Sequence, residues 1–150
     1  MADRTSSAVE IMLPAPRIMS VIADFPDYPQ WAGVHSADVL STGPDGRASR
    51  VRFRLDAGVI KDSYVLGYQW DGDAQVHWDL AEPGSVISEM SGAYLLADHG
   101  EAGTTVTFEL TVGVRIPMLG MLKRRAEKII IDTALGGLKS RAESIKGSAS

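Results

Sequence analysis

The sequence predicts an α+β domain in which a curved antiparallel sheet of about seven strands grips a long C-terminal helix over a cavity. Three observations predict it. Residues 34–115 alternate apolar and polar positions between turn signals at Gly43-Pro44-Asp45-Gly46, Asp71-Gly72-Asp73, Glu82-Pro83-Gly84 and Asp98-His99-Gly100, the pattern of successive hairpins. One strand and two short helices precede them. Beyond Pro117 the periodicity becomes helical for about 28 residues, or ~40 Å at the rise of an α-helix, enough to cross a whole sheet.

The first strand is expected over residues 5–13, where Val9, Ile11 and Leu13 alternate with Ala8, Glu10 and Met12 until Pro14 stops the pairing. Pro14 and Pro16 suit a helix start. Ile18, Met19, Val21 and Ile22 give residues 16–24 a helical face, and Asp24 is placed to cap a second short helix ending near Trp31 and Gly33.

The hairpin segments each offer one apolar face: Val51, Phe53, Leu55; Tyr64, Leu66, Tyr68, Trp70; Val76, Trp78, Leu80; and Val106, Phe108, Leu110, Val112, Val114. Arg50, Arg52, Arg54, Gln69, His77, Asp79, Thr107, Glu109 and Arg115 fall opposite. Such a sheet covers a core on one side and meets water on the other. In residues 86–97, Met90, Tyr94 and Leu96 share one face and Ile87, Ala93 and Leu95 the other, so alternation leaves the inward face open. In the final helix, Met118, Leu122, Ala126, Ile129 and Ile130 form one stripe, while Ile131, Leu135, Leu138, Ala142 and Ile145 form a second one displaced around the axis. Gly136-Gly137 weakens the middle, and a bend is expected there, the alternative being a close backbone approach. The displaced stripe is a candidate dimer face, leaving monomer and homodimer both open.

One domain accommodates 150 residues with 45% apolar and 23% charged content. The net charge of −4, with basic residues clustered only at Lys123-Arg124-Arg125, offers no field for a phosphate backbone and argues against nucleic acid. The chain has no cysteine, which removes thiolate chemistry and suits a reducing compartment. No 18-residue apolar run and no signal-peptide layout occur, so a cytoplasmic protein is expected. Lys123-Arg124-Arg125 beside Met118, Leu119 and Met121 is the combination of a helix that touches membranes transiently, though a solvated helix face has the same composition.

The order of elements, together with Ile22-Ala23-Asp24-Phe25-Pro26-Asp27-Tyr28-Pro29-Gln30-Trp31 and the weaker Leu135-Gly136-Gly137-Leu138-Lys139-Ser140-Arg141-Ala142-Glu143, resembles the polyketide cyclase/dehydrase and lipid-transport family. That family lies in the superfamily (SRPBCC) of START domains and birch-pollen-type proteins. The resemblance runs from Val9 to Ile145. It implies the helix-grip fold and an internal cavity for a hydrophobic ligand such as a polyketide, lipid or isoprenoid, held by a carrier or weak catalyst. Aromatase/cyclases, which position a polyketide chain and often use a buried arginine, are the alternative, as is a quinone-binding or protein-interaction module with a filled cavity.

Candidate ligand-binding residues are Trp31, Phe53, Tyr64, Tyr68, Trp78, Tyr94 and Phe108, large enough to line a cavity or to fill a core, and Met118, Met121 and Leu122, whose side chains adapt to varied apolar ligands near an entrance. Tyr64, Tyr68 and Tyr94 add hydroxyls that orient a carbonyl. No catalytic residue is assigned. His77 is expected to point outward and His99 to sit in a turn, while His35 and Asp38 are an odd number of positions apart on one strand and face opposite ways. The three histidines lack metal-ligand spacing, and neither metal nor cofactor is expected. No arginine falls on an inward position unless the register of residues 49–56 is off by one.

Overall fold

The computed structural model describes residues 5–56, 61–115 and 120–148, with side chains of the last helix described over 124–144. Strand β1 (Thr5–Ile11) leads into α1 (Ala15–Ile22), a 3-10 turn (Phe25–Asp27) and the short α2 (Tyr28–Trp31). Six strands follow: β2 (Val34–Thr42), β3 (Ala48–Asp56), β4 (Lys61–Asp71), β5 (Gln75–Glu82), β6 (Ile87–Asp98) and β7 (Thr104–Val114). Helix α3 spans Gly120–Ser148, and the expected start at Pro117 falls outside the described residues. The strands form one antiparallel sheet in the order β1-β7-β6-β5-β4-β3-β2. β1 therefore leaves from one edge, the two short helices carry the chain to the other, and the meander returns to β1.

Alternation placed the hairpin strands correctly. Val51, Phe53 and Leu55 are buried while Arg50, Arg52 and Arg54 are exposed, so the register of residues 49–56 stands as read. In β6 the inward face belongs to Met90, Tyr94 and Leu96. Ile87 reaches the same core because a register shift between Ile87 and Glu89 inserts an extra residue and flips the pleat. That bulge is what blurred the pattern.

Helix α1 is capped from a distance. Its first turn carries no side-chain cap of its own, and the Ala15 N–H donates to Asp98 Oδ2 (3.0 Å) at the end of β6. The expected cap at Asp24 is not made: that residue precedes the 3-10 turn without a side-chain capping bond. The turn is fastened instead by an Asp27–Arg141 ion pair to α3 and by the Tyr28 hydroxyl, which donates to the Ile22 carbonyl.

Helix α3 packs on β1, β7, α1 and α2. Ala126, Ile131, Ala134, Leu135, Leu138 and Ala142 are all buried, so the described part of the displaced second stripe lies against the domain interior and is not a free dimer face, while the side chain of Ile145 lies outside the described residues. Ile129, expected on the first stripe, is 45% exposed. The buried face follows one helical line through 127, 131, 134, 138 and 142, and Ile129 lies off it.

Glu127 on that line is 1% exposed and accepts hydrogen bonds from the Val112 N–H (2.8 Å) and the Thr5 hydroxyl (2.7 Å). It fastens the helix to β7 and β1 together. Glu127→Leu strands two donors and is expected to lower the unfolding free energy by about 2–4 kcal/mol, while Glu127→Gln, which keeps one acceptor, loses roughly half of that. Urea denaturation of the two variants checks the order.

Candidate functional site

The inward residues of β3 to β7, α2 and α3 surround an apolar cavity of about 60 Å³. Phe53, Tyr64, Tyr68, Trp78, Tyr94 and Phe108 all line it. They form a continuous aromatic wall: Phe53 and Tyr64 stack at 6.0 Å, Tyr68 and Trp78 meet at 5.7 Å, and Tyr94 and Phe108 meet edge to face at 4.7 Å. Trp78 lies over Gly92, its cross-strand partner, where an added Cβ would come within 2.6 Å of the indole. Only a glycine leaves the ring that seat.

Besides these aromatics and the inward Leu55, Leu66 and Leu110, six residues line the cavity that the sequence patterns do not single out: Tyr28, Ala32, Val34, Met90, Ile130 and Ala134. Tyr28 stands in the motif segment but offers no periodicity, since α2 is four residues long. Met90 sat on a strand whose inward face alternation left open, and Ile130 and Ala134 project from α3 where two stripes overlap. Trp31 is buried beside Tyr28 (4.7 Å) without lining the cavity, and no described residue accepts a hydrogen bond from its Nε1. Met118 lies outside the described residues, as do the side chains of Met121 and Leu122.

The electrostatics of the wall come from phenols alone. Among the described residues the fully buried side-chain polar atoms without a partner are Trp31 Nε1, Ser36 Oγ and Arg141 Nε, and the hydroxyls of Tyr64, Tyr68 and Tyr94 are not among them. Burial, foremost, raises the pKa of all three above the usual phenol value, and Tyr28 likewise. Each therefore remains a neutral hydrogen-bond donor at physiological pH. The cavity contains no arginine or histidine among its described lining residues. His35, His77 and His99 are exposed, the last bonded through Nε2 to Thr105 Oγ1 (2.9 Å), and Asp38 is exposed as well. His35 sits at a register shift between Val34 and Ser36, which turns it outward on the same side as Asp38 without bringing either to the cavity.

A seven-stranded antiparallel sheet closed over an apolar cavity by a C-terminal helix defines a helix-grip protein of START-like architecture. Residues 2–143 match the family model for "Polyketide cyclase / dehydrase and lipid transport", and the chain belongs to that family. Its fold is similar to that of a START superfamily protein from Mycobacterium smegmatis, with a TM-score of 0.85 at 22% identity over 95% of this chain and 98% of that one. It is likewise similar to the Zhui aromatase/cyclase from Streptomyces, with a TM-score of 0.79 at 14% identity over 97% and 96%. A Thermus thermophilus protein superposes with a TM-score of 0.77 at 23% identity over 95% and 98%. No curated protein sequence matches significantly. Among the described residues no helix is long and apolar enough to cross a membrane.

Proposed function

We propose that the chain is a cytoplasmic binding protein for an oxygen-bearing hydrophobic small molecule, held in the aromatic cavity by Phe53, Tyr64, Tyr68, Trp78, Tyr94 and Phe108. The observation that carries this reading is the set of three phenols, Tyr64, Tyr68 and Tyr94, lining an otherwise apolar cavity. A polar group in such surroundings costs free energy unless something bonds it, and a ligand with carbonyl or hydroxyl groups supplies acceptors for the phenol donors. At about 60 Å³ the cavity admits a few waters, against ~300 Å³ or more for a drug-sized ligand. Binding therefore moves wall side chains.

The same wall supports a second reading, a polyketide aromatase/cyclase of the kind to which the Zhui protein belongs. Phenols held neutral would polarise carbonyls by donation while the aromatic surface fixed a folded chain. That no arginine stands among the described lining residues favours the carrier.

Native mass spectrometry of protein purified without detergent, followed by organic extraction, tests the binding reading. A stoichiometric hydrophobic adduct is expected. A triple variant, Tyr64→Phe, Tyr68→Phe and Tyr94→Phe, is expected to bind an oxygenated ligand about 10- to 100-fold more weakly, at about 1 kcal/mol per lost bond, with hydrocarbon binding preserved. Its thermal stability should stay close to that of the parent, since each substitution keeps the aromatic ring that packs in the wall. A marked loss of stability would make the hydroxyls structural.

A further inference from the structure

Three surface depressions share a wall residue with the cavity, at Leu55, Tyr68 and Met90. The one at Met90 passes between two strands. β5 and β6 pair from Gln75↔Leu95 to Asp79↔Ser91 and no further, although β5 continues to Glu82 and β6 begins at Ile87. Past the last pair the strands part, and a depression of about 360 Å³ opens there. Its rim takes Leu80 and Met90 from the inward face and Asp79 and Ser91 from the outward face. Strand pleating puts neighbours on opposite faces, so a rim built from both exists only where the sheet is open.

Other partners satisfy the backbone on each side of this gap. The end of β5 stays on β4, with Glu82 opposite Val65 beyond a register shift. The start of β6 stays on β7, and the Asp62 carboxylate reaches across from β4 to accept the N–H groups of Ser85 (2.9 Å), Val86 (2.9 Å) and Ile87 (2.7 Å). The Arg115 N–H holds the Val86 carbonyl at 2.8 Å. No ladder between β5 and β6 has to break for the gap to widen, and the Gly84 N–H, donating to the Ile87 carbonyl (3.0 Å), closes only its turn end. What fills it from inside is Met90, buried, unbranched and free to change rotamer without losing a hydrogen bond.

We propose that ligands reach the cavity through the sheet, between β5 and β6, with Met90 as the movable plug, and that this route admits neutral rather than anionic molecules. The rim carries the carboxylates of Asp79 and Glu89 and no cation among its described residues, so a carboxylate-headed molecule meets like charge at the mouth. The inference rests on the cavity-binding reading and adds its route and its charge preference.

The chain has no cysteine, so Ser88→Cys, Ser63→Cys and Asp45→Cys each create a single thiol, one beside each depression. Each variant is capped with a bulky polyethylene-glycol maleimide, and uptake of the neutral dye N-phenyl-1-naphthylamine is followed by stopped-flow fluorescence. The cap at position 88 is expected to slow association and release at least tenfold with Kd unchanged, the other two caps to leave both rates within twofold, and Met90→Ala to accelerate both. A carboxylated analogue of the dye should associate more slowly, with the difference shrinking at high salt. Unaltered rates with position 88 capped, or slowing at position 63 or 45 instead, overturn the route. Failure of the uncapped protein to take up either dye overturns the binding reading and the route together.

Discussion

Gly136→Ala is expected to raise the unfolding midpoint, and the same substitution one residue later, Gly137→Ala, to lower it. In an exposed helix interior, replacing glycine with alanine stabilises by about 1 kcal/mol because the unfolded chain loses backbone freedom. Gly136 is exposed, and an added Cβ there meets nothing within 4 Å. At Gly137 the same Cβ would stand 1.8 Å from the Trp31 carbonyl oxygen and 2.8 Å from its carbon. Those are backbone atoms of α2 and cannot swing aside as a flexible side chain would. Either α3 retreats from α2 or α2 is pushed off, at the ~1–3 kcal/mol typical of overpacking. The two variants should therefore differ by roughly 3 kcal/mol in denaturant titration, with opposite signs relative to the parent. Equal shifts would mean that the helix does not rest on Trp31. Because Tyr28 shares that short helix, Gly137→Ala should also disturb the cavity wall, whereas Gly136→Ala should leave it intact.

Raising the pH is expected to unfold the protein cooperatively before its tyrosines ionise one by one. The chain has four tyrosines, and burial raises the pKa of every one above the usual value of 10.0. An acid whose folded pKa exceeds its unfolded pKa is stabilising while protonated. That contribution is fully present below pH 10 and declines above it, as the unfolded chain releases protons that the folded one retains. Each tyrosine then weakens folding by about 1.4 kcal/mol per pH unit. Phenolate absorbance near 295 nm should stay flat through pH 10–11 and rise in one step together with the loss of near-ultraviolet ellipticity. A gradual rise with ellipticity intact would mean that water reaches the phenols in the folded state.

The sheet was legible because each of β3, β4, β5 and β7 buries one face, and period two then marks the wall residues directly. Phe53, Tyr64, Tyr68, Trp78 and Phe108, which that pattern marks, share one cavity, and Tyr94 joins them from β6, where alternation leaves the face open. Trp31 does not, since it was assigned from a motif and no pleat fixed its direction. Alternation failed where a bulge shifts the pleat, at Ile87–Glu89 and at Val34–Ser36. In α3 the sequence shows apolar positions but not their partners: Ile129 points to solvent, Glu127 is buried, and Gly137 provides a close backbone approach within an unbroken helix at the site where a bend was expected. The Asp62 and Asp98 contacts join residues 23 to 83 positions apart, beyond any local pattern.

The strand order also governs when the molecule can form. β1 pairs with β7 through Thr5↔Leu110 to Ile11↔Thr104, α1 waits for Asp98, and Glu127 ties Thr5 to the last helix. During synthesis the first strand therefore leaves the ribosome about a hundred residues before its partner, a span whose closure entropy must be met before any contact rewards it. The meander from β2 to β7 can assemble as local hairpins in the meantime. A nascent chain interrupted before residue 104 exposes one apolar sheet face and an unpaired leading strand, the kind of surface chaperones hold.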